Sequence, residues 1–512
     1  MSTPVLQRRD GSAVRVPETT VDVLEVAVRE RPEAVAMVAG ELSLTYAEYG
    51  QAVDRLATKL SSVGERGTAV AIILPNMAAT AIALFAAHKA GRVAATLNPA
   101  YTAAELAPML ADAAPSAVIA TPDVLARIGS AMPADASTLK VQDDRSFLAS
   151  LQDIAPAPLP PPQSSDLATL QFTGGTTGRA KGVELTHRAV ATNIAQREAV
   201  LPTEFGDERV LCFMPMFHSF AAAMCVHLAA YAAGTLVILP RYRPDWVMEA
   251  IASHRITRLP AGPTVFNGLV GHEGLTREAT ASLRCAYSGS APLAAETLSR
   301  WETLTGVPIY EGYGQSEAGP ILTYYGPGMA VKPGAVGPPL PLTELGIDAP
   351  AGELGEVLAR GPQIMRGYRG LPEETAEALR DGWLHTGDIG FIDADGDLHV
   401  ADRKKDMVLI SGYNVFPREV DEALMTHPYI AVAACVGVPD SYRGERLLAF
   451  IVAREGGCVS AEACAAWLED RLVRYKWPAE YRFVAALPQT PAGKIDKQAL
   501  KGLAMEEERD VA

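Results

Sequence analysis

Two kinds of apolar segment alternate along most of the chain, short runs and longer ones. Continuous apolar runs at 69–74 and 117–120 are typical of buried strands, and the longer apolar run at 79–90 is typical of a buried helix. Strands that alternate with helices favour parallel sheets covered by helices on their faces. We therefore predict an α/β fold with a large N-terminal domain of mixed and parallel sheets flanked by helices. Further strands are predicted at 210–214, 236–239, 285–288, 308–310 and 356–359.

The pattern changes at a run of charged residues, 403–406, which no apolar side chain anchors. We place the domain boundary there, because a change of pattern at an exposed polar segment is typical of a domain border. The predicted domains are 1–402 and a small, mobile α+β domain at 403–512. The smaller domain is predicted to contain a helix at 417–425, strands at 431–436 and 448–452, and a helix at 461–472.

Length, composition, net charge and cysteine spacing limit the classes of protein to which this chain can belong. The 512 residues exceed what one hydrophobic core supports, and 48% apolar with 21% charged residues is typical of a folded protein. The net charge of −15 argues against nucleic acid as a partner, since sequence-independent binding to phosphates depends on Lys and Arg. The six cysteines form no CxxC pair, which indicates reduced thiols in a cytoplasmic protein.

Two segments bear on targeting. Residues 1–16 are polar and lack the apolar core of a secretory signal. The segment 220–239 is largely apolar but contains His227 and is broken at Gly234, whereas a spanning helix needs about 20 continuous apolar residues. We predict a buried helix followed by a strand at 235–239, and no integral membrane segment.

A loop rich in glycine and threonine is the most informative segment. Residues 172–182 read Phe-Thr-Gly-Gly-Thr-Thr-Gly-Arg-Ala-Lys-Gly. Glycines let the backbone approach a polyphosphate closely, threonine hydroxyls add donors, and Lys181 adds a positive charge. Lys181 follows Ala180 and precedes Gly182, so the segment departs from the GxxxxGK[ST] P-loop. The loop can hold the oxygens of a triphosphate.

This loop resembles the phosphate-binding motif of the adenylate-forming superfamily, which includes acyl-CoA synthetases, peptide-synthetase adenylation domains and beetle luciferases. Its Thr-Gly-Gly form is similar to that of bacterial fatty acyl-CoA ligases, although Gly174 and Ala180 depart from the commoner residues. Later motifs follow in the superfamily's order over roughly 20–500. The resemblance implies ATP, Mg²⁺ and coenzyme A as ligands, with Lys181 both catalytic and nucleotide-binding. The remaining nucleotide contacts implied in the loop are Thr173, Gly174, Gly175, Thr176, Thr177 and Gly178.

Residues 310–317, Tyr-Glu-Gly-Tyr-Gly-Gln-Ser-Glu, resemble the superfamily's adenine and magnesium segment. A ring such as Tyr313 can cover a purine face, Ser316 can donate to phosphate, and a carboxylate such as Glu317 can bind a hard cation. Glu311 and Gly312 complete the implied nucleotide contacts. Without the resemblance, Glu317 would be a plain carboxylate at the start of a helix.

Three C-terminal motifs also match the superfamily. Asp388 stands where an aspartate accepts both ribose hydroxyls, and Arg403 where an arginine reaches the nucleotide. Lys405 stands at the hinge about which the small domain is implied to rotate between the two half-reactions. The segment implied to face coenzyme A is Ser411, Gly412 and Tyr413.

Lys494 lies in Pro-Gln-Thr-Pro-Ala-Gly-Lys-Ile-Asp-Lys, 488–497, which resembles the catalytic-lysine motif. A lysine is a compact cation that can bridge the substrate carboxylate and the α-phosphate as charge moves during attack. The resemblance implies that Lys494 serves adenylation, binds the nucleotide, and leaves the site for the second step.

The residues after Phe217 are implied to line the acyl pocket. Their small apolar side chains leave space and offer no charge, which favours a hydrophobic acid over one with a second carboxylate. His218 is implied to be catalytic, as a gate for the carboxylate or the thiol. The implied pocket residues are His218, Ser219, Ala222, Ala223, Gly289, Gly312 and Gly314.

The predicted function is an ATP-dependent acid–CoA ligase, acting as a monomer or homodimer on a small-molecule carboxylic acid. The main competing function is a stand-alone adenylating enzyme that loads a carrier protein. Luciferase-like oxygenation and an ATP-binding module without chemistry are weaker competing functions. Lys181, Glu317, Asp388, Arg403 and Lys494 occur together, which disfavours the module, since a non-catalytic binder has no use for Lys494.

Overall fold

The structure is a computed structural model in which the chain divides into two compact units. One unit is Met1–Leu345 with Ala359–His385, and the other is Gly346–Leu358 with Thr386–Ala512. The predicted border between 402 and 403 stays a prediction. The described residues are 6–173, 180–350, 352–404, 406–410, 413–440, 443–454, 456–457, 459–469, 471–490 and 494–511.

The first unit contains two large sheets built mainly from parallel strands. In each sheet the central strands are buried, because helices cover both faces. A two-stranded sheet of Leu6–Gln7 and Ala13–Val14 precedes them. In spatial order, one sheet contains Gly367–Tyr368, Lys181–Thr186, Leu167–Thr173, Val93–Thr96, Ala69–Ile73, Ala117–Ala120 and Ser137–Lys140. The other contains Thr323–Tyr324, Ile309–Tyr313, Cys285–Ser288, Arg258–Ala261, Arg209–Cys212, Thr235–Ile238, Val35–Ala39 and Leu42–Thr45.

Helices of the first unit begin where the sequence supplies a cap. Thr45 accepts the N–H of Glu48, and the Glu48 carboxylate accepts the N–H of Thr45, so two donors of helix Tyr46–Ser61 are satisfied. The α-helices are Thr20–Glu30, Tyr46–Ser61, Ala78–Lys89, Ala103–Ala113, Pro122–Ile128, Asp144–Leu151, His187–Val200, Ser219–Ala221, Leu228–Tyr231, Pro244–His254, Pro263–Leu269, Ala295–Thr305 and Pro372–Ala378. A π-helix spans Ala222–His227, and 3₁₀ turns span Gly129–Ala131, Ser316–Ala318 and Arg380–Gly382.

The second unit holds the remaining sheets and helices. Four strands are ordered Glu344–Asp348, Gly355–Arg360, Leu384–Ile392 and Leu398–Arg403, and the first three of them begin or end in the first unit. Five more strands are Tyr413–Val415, Val408–Ile410, Gly444–Ala453, Ile430–Asp440 and Glu480–Phe483, the last pairing with Gly444–Ala453. The helices are Pro417–Met425, Ala461–Glu469 and Lys497–Val511, with a 3₁₀ turn at Arg474–Lys476.

The α/β prediction is confirmed, and most predicted elements are present. Strands 117–120 and 285–288 and helix 417–425 have the predicted bounds. The helix predicted at 461–472 ends earlier, at Glu469, and the strand predicted at 308–310 runs on to Tyr313. No described helix is long and apolar enough to cross a membrane.

Three buried histidines meet in the core of the first unit. The Thr20 hydroxyl lies 2.9 Å from Nδ1 of His88 and 2.8 Å from Nδ1 of His187. His227 packs edge-on against Phe85. Burial lowers the pKa of His187 and of His227 from 6.5 to about 4, and it lowers the pKa of His88 well below its ordinary value. All three imidazoles are therefore neutral in the folded protein.

We expect the free energy of unfolding to fall as the pH drops below about 6.5, because the unfolded chain then protonates histidines that the folded chain keeps neutral. This stability is fully present above about pH 6.5 and is lost on the way to about pH 4. A histidine whose pKa falls from 6.5 to about 4 accounts for about 3 kcal/mol. Urea midpoints at about pH 7 and pH 5 measure the effect, and His88→Gln should reduce it. Equal midpoints at both pH values would contradict it.

Candidate active site

In the first unit, one tyrosine contacts two predicted site residues. Tyr368 contacts Lys181, which is predicted to bind phosphate, and Glu317, which is predicted to bind magnesium. Lys181 starts strand Lys181–Thr186, where it faces Thr173 of the neighbouring strand. Lys181 Nζ lies 5.0 Å from the centre of the Tyr368 ring, a cation–π geometry. The Tyr368 hydroxyl donates to Glu317 Oε1 at 3.0 Å. Tyr368 thus links the two predicted sites. The loop residues Gly174, Gly175, Thr176, Thr177 and Gly178 lie outside the described residues.

Glu317 is held in a defined position. The residue is only 9% exposed, and its carbonyl accepts the N–H of Met365 at 2.8 Å. Burial and the Glu317 charge raise the pKa of Tyr368 far above its ordinary value, so the phenol stays a donor. No cluster of three or more His, Cys, Asp or Glu side chains suited to a metal occurs among the described residues. One carboxylate together with phosphate oxygens is a common donor set for Mg²⁺, so Glu317 fits the implied ion.

The nucleotide segment runs along strand Ile309–Tyr313 and its continuation. Glu311 accepts the N–H of Leu293 at 3.0 Å, so this buried carboxylate anchors a neighbouring loop. A Cβ at Gly312 would come within 2.5 Å of the Tyr324 ring, and one at Gly314 within 2.0 Å of the Pro320 carbonyl oxygen. Both glycines are explained by this close packing. Their predicted roles in binding remain predictions.

Phe217 and His218 form a turn that is fastened to the seven-stranded sheet and leads into helix Ser219–Ala221. The Phe217 carbonyl accepts from the Thr96 hydroxyl and from the Gln171 amide, each at 2.9 Å. His218 Nδ1 accepts the N–H of Phe220 at 3.2 Å and so caps the helix that follows. The Ser219 and Ser316 hydroxyl oxygens are 3.2 Å apart. The predicted acyl segment therefore touches the predicted nucleotide segment.

A cavity of about 30 Å³ lies beside this turn, and Ser219, Ala222 and Ala223 line it. The π-helix Ala222–His227 forms part of its wall. A Cβ at Gly289 would come within 2.9 Å of the Phe220 ring. Among the described residues predicted for the pocket, His218, Gly289, Gly312 and Gly314 lie outside this cavity.

In the second unit, Asp388, Arg403 and Lys494 come together. Asp388 and Arg403 face each other on paired antiparallel strands, and Arg403 Nε lies 3.1 Å from Asp388 Oδ1. The Asp388 N–H donates to Thr386 Oγ1 at 3.1 Å, and Thr386 donates to the Val357 carbonyl. Burial and the Arg403 charge lower the pKa of Lys494 to about 8, while Asp388 opposes them. Asp388 is 4% exposed.

The remaining C-terminal predictions are only partly described. Lys405, Ser411 and Gly412 lie outside the described residues. Tyr413 is 56% exposed, and its ring stacks on Tyr475 with 4.5 Å between centroids.

The sequence model of the AMP-binding enzymes matches residues 24–369. The chain belongs to this family. The C-terminal domain of AMP-binding enzymes matches residues 419–494 of the same protein. The predicted membership of the adenylate-forming superfamily is thereby confirmed, and with it the predicted use of ATP, Mg²⁺ and coenzyme A.

Similar proteins cover nearly all of this AMP-binding enzyme. A long-chain-fatty-acid–CoA ligase of Bacillus subtilis is 34% identical over 94% of each chain. A feruloyl-CoA synthase of Amycolatopsis is 35% identical, over 92% of this chain and 96% of the relative. The crystal structure of ATP-bound MatB from Rhodopseudomonas palustris superposes with a TM-score of 0.90 at 29% identity, covering 95% of this chain and 98% of MatB.

Sequence reasoning missed several residues of this AMP-binding enzyme's site. Tyr368, Gln171 and Thr96 contact predicted site residues. Tyr368 and Thr96 lie on strands without a motif, and Gln171 directly precedes the motif at 172–182. The only sequence feature that points to these three residues is the pattern of apolar and polar positions that predicts strands. Register and pairing between distant strands then decide which side chain meets the site.

Replacing Lys181 with methionine is expected to raise the KM for ATP about 10- to 100-fold, the effect of losing one charge-assisted contact to phosphate. The fold should persist, because the side chain is partly exposed at a strand end. Initial rates against ATP concentration measure the effect. Arg188→Ala, an exposed cation of the same unit, is the control. An unchanged KM for ATP in Lys181→Met would show that Lys181 does not bind the phosphates.

Proposed function

We propose that this enzyme is an ATP-dependent acid–CoA ligase. It activates a hydrophobic carboxylic acid as an acyl-adenylate with release of pyrophosphate, and it then forms the acyl-CoA thioester. The grouping of Asp388, Arg403 and Lys494 in one unit carries the proposal, because it sets a lysine beside the pair proposed for the nucleotide's sugar and phosphate. Relatives named as CoA ligases support it.

In the first step, an oxygen of the acid attacks the α-phosphorus of ATP, and the bond from that phosphorus to pyrophosphate breaks. Lys494 stabilises the negative charge that builds up on the α-phosphate. Lys181 and the loop before it hold the outer phosphates. Glu317 would hold Mg²⁺, which would neutralise part of the charge on the phosphate oxygens.

The nucleoside is held by carboxylate and aromatic groups in this proposal. Asp388 accepts from the ribose hydroxyls, because a carboxylate has two acceptor oxygens. Arg403 fixes the Asp388 carboxylate through its Nε. Tyr313, Glu311 and Gly312 line the adenine side.

In the second step, the thiol sulfur of coenzyme A attacks the acyl carbonyl, and AMP leaves. We propose the domains 1–402 and 403–512, with Lys405 as the pivot that removes Lys494 from the site for this step. Ser411, Gly412 and Tyr413 then face coenzyme A, and the exposure of Tyr413 supports this. His218, at the start of the acyl segment, gates the carboxylate or the thiol.

The acid enters the cavity beside Ser219, Ala222 and Ala223. The walls of that cavity are largely apolar, so the body of the acid is apolar. The relatives' names refer to long-chain fatty acids and to feruloyl groups, and both fit an apolar body. We further propose a cytoplasmic monomer or homodimer, which the five buried free thiols among the described residues support.

Acid-dependent release of pyrophosphate from ATP tests the proposal. Fatty, aryl and polycyclic acids are screened with and without coenzyme A. We expect at least one acid to give pyrophosphate, AMP and a CoA thioester. Adenylation without thioester formation would indicate a carrier protein as acceptor, and release of ADP instead of AMP would overturn the proposal.

A further inference from the structure

The cavity beside Ser219 contains two ionisable side chains. Most of the exposed area of its wall is apolar, and the polar side chains on it are Thr96, Thr169, Gln171, Asn193, Ser219, Arg197 and His227. Of these, only Arg197 and His227 are ionisable. Arg197 lies on helix His187–Val200, which is buried on nearly all faces. The apolar side chains of the wall include Leu84, Leu185, Val190, Ile194, Ala222 and Ala223.

Arg197 and His227 each carry a nitrogen for which the described residues supply no hydrogen-bond partner. Arg197 is 1% exposed, and its Nη2 has no hydrogen-bond partner in the part of the chain that the structure describes. His227 is 4% exposed, and its Nε2 lacks a partner within those same residues. Buried polar nitrogens are nearly always satisfied, so two such atoms on one cavity point to a ligand.

The positive charge of Arg197 is only partly neutralised by the charged groups around it. Glu198 Oε2 lies 3.1 Å from Arg197 Nη1, but Glu198 also pairs with Arg8 at 2.7 Å and accepts the N–H and hydroxyl of Thr203. A further cation, Arg15, lies over the Tyr231 ring on which Arg197 also packs. Two guanidinium groups therefore share one carboxylate, and a third lies nearby. This arrangement favours an anionic group in the cavity.

His227 lies at the far end of the helical segment that begins at Ser219. The Ser219 hydroxyl contacts Ser316 of the nucleotide segment. His227 follows eight residues later, about two helical turns away, and Ala222–His227 of this segment is a π-helix. A ligand whose carboxylate reacts near Ser219 would place its other end near Arg197.

We propose that Arg197 and His227 select acids that carry a second, anionic oxygen group at the end remote from the reacting carboxylate. This inference rests on the proposed function but changes its acid. The residues after Phe217 favour a hydrophobic acid without a second carboxylate, whereas Arg197 and His227 favour an acid with an apolar body and a terminal carboxylate. Arg197 donates from Nη2 to the terminal oxygens, and neutral His227 donates from Nε2.

The test uses three acids of equal chain length that end in a methyl, a hydroxyl or a carboxylate group. Values of kcat/KM for pyrophosphate release are measured with the full chain. We expect the wild type to prefer the dicarboxylic acid over the methyl-ended acid by about tenfold or more, and Arg197→Met to bring that ratio close to one. Arg188→Met is the matched control, since it removes an exposed cation of the same helix outside the cavity and should keep the preference.

The outcomes separate the two proposals. If no acid of any kind releases pyrophosphate, the proposed function fails. If the methyl-ended acid is used as well as the dicarboxylic acid, or if Arg197→Met keeps the wild-type ratio, the inference fails while the function stands. Should Arg197→Met not fold, the same ratio of kcat/KM values is measured for Arg197→Lys and for His227→Leu. An unchanged ratio in both variants overturns the inference. A preference for the hydroxyl over the carboxylate would also overturn it.

Discussion

Replacing Lys494 with alanine is expected to slow acyl-adenylate formation by about 10²- to 10³-fold, because the variant loses the cation that we propose stabilises charge on the α-phosphate. Conversion of a supplied acyl-adenylate to its CoA thioester should stay close to the wild-type rate. The Lys494 side chain lies near Arg403 and Asp388, and the pKa of about 8 leaves it mostly charged at neutral pH. Single-turnover rates of each half-reaction measure the two effects separately.

A lysine of the adjacent helix provides the control for this experiment. Lys501→Ala removes a partly exposed cation seven residues further on and should leave both rates unchanged. If Lys494→Ala slowed both half-reactions equally, Lys494 would serve both steps. The separate orientations proposed for the C-terminal domain would then lose their support.

Replacing Glu317 with glutamine is expected to lower the adenylation rate about 100-fold at low Mg²⁺ and to raise the Mg²⁺ concentration needed for half-maximal rate. The amide keeps the shape of the side chain but loses the charge that a hard cation prefers. Adenylation rates over a Mg²⁺ titration, at fixed ATP, measure both quantities.

Tyr368→Phe is the matched control for the Glu317 variant. It removes the hydroxyl that donates to Glu317 at 3.0 Å but leaves the carboxylate and the ring near Lys181. We expect a smaller rise in the Mg²⁺ requirement, about that of one lost hydrogen bond. An unchanged Mg²⁺ dependence in Glu317→Gln would place the metal on different oxygens.

Much of the fold is predictable because the sequence patterns of strands and of helices differ clearly along this chain. Strands 117–120 and 285–288 are short apolar runs buried on both faces, so their bounds follow from composition alone. The helix predicted at 461–472 is too long, because an apolar stripe does not mark where capping and tertiary contacts end a helix. Ordered motifs predict the chemistry of Lys181, Glu317, Asp388, Arg403 and Lys494, and the structure gathers these residues within each unit.

The lining of the cavity is less predictable. Ala222 and Ala223 follow a motif and are expected in the acyl pocket, and both line the cavity. Arg197 comes from a different helix, which no motif marks, and its sequence neighbours are ordinary helix residues. Only the packing of helix His187–Val200 against Ala222–His227 brings a guanidinium to this cavity. Such pairings depend on tertiary structure, which local sequence does not encode.

The most direct test of the central claim follows an isotope. The acid is labelled with heavy oxygen in its reacting carboxylate, and the products made with ATP and coenzyme A are analysed by mass spectrometry. If the carboxylate attacks the α-phosphorus, one labelled oxygen stays with AMP when the thioester forms, and pyrophosphate carries none. Label in inorganic phosphate together with unlabelled ADP would show attack at the γ-phosphorus and would contradict the account.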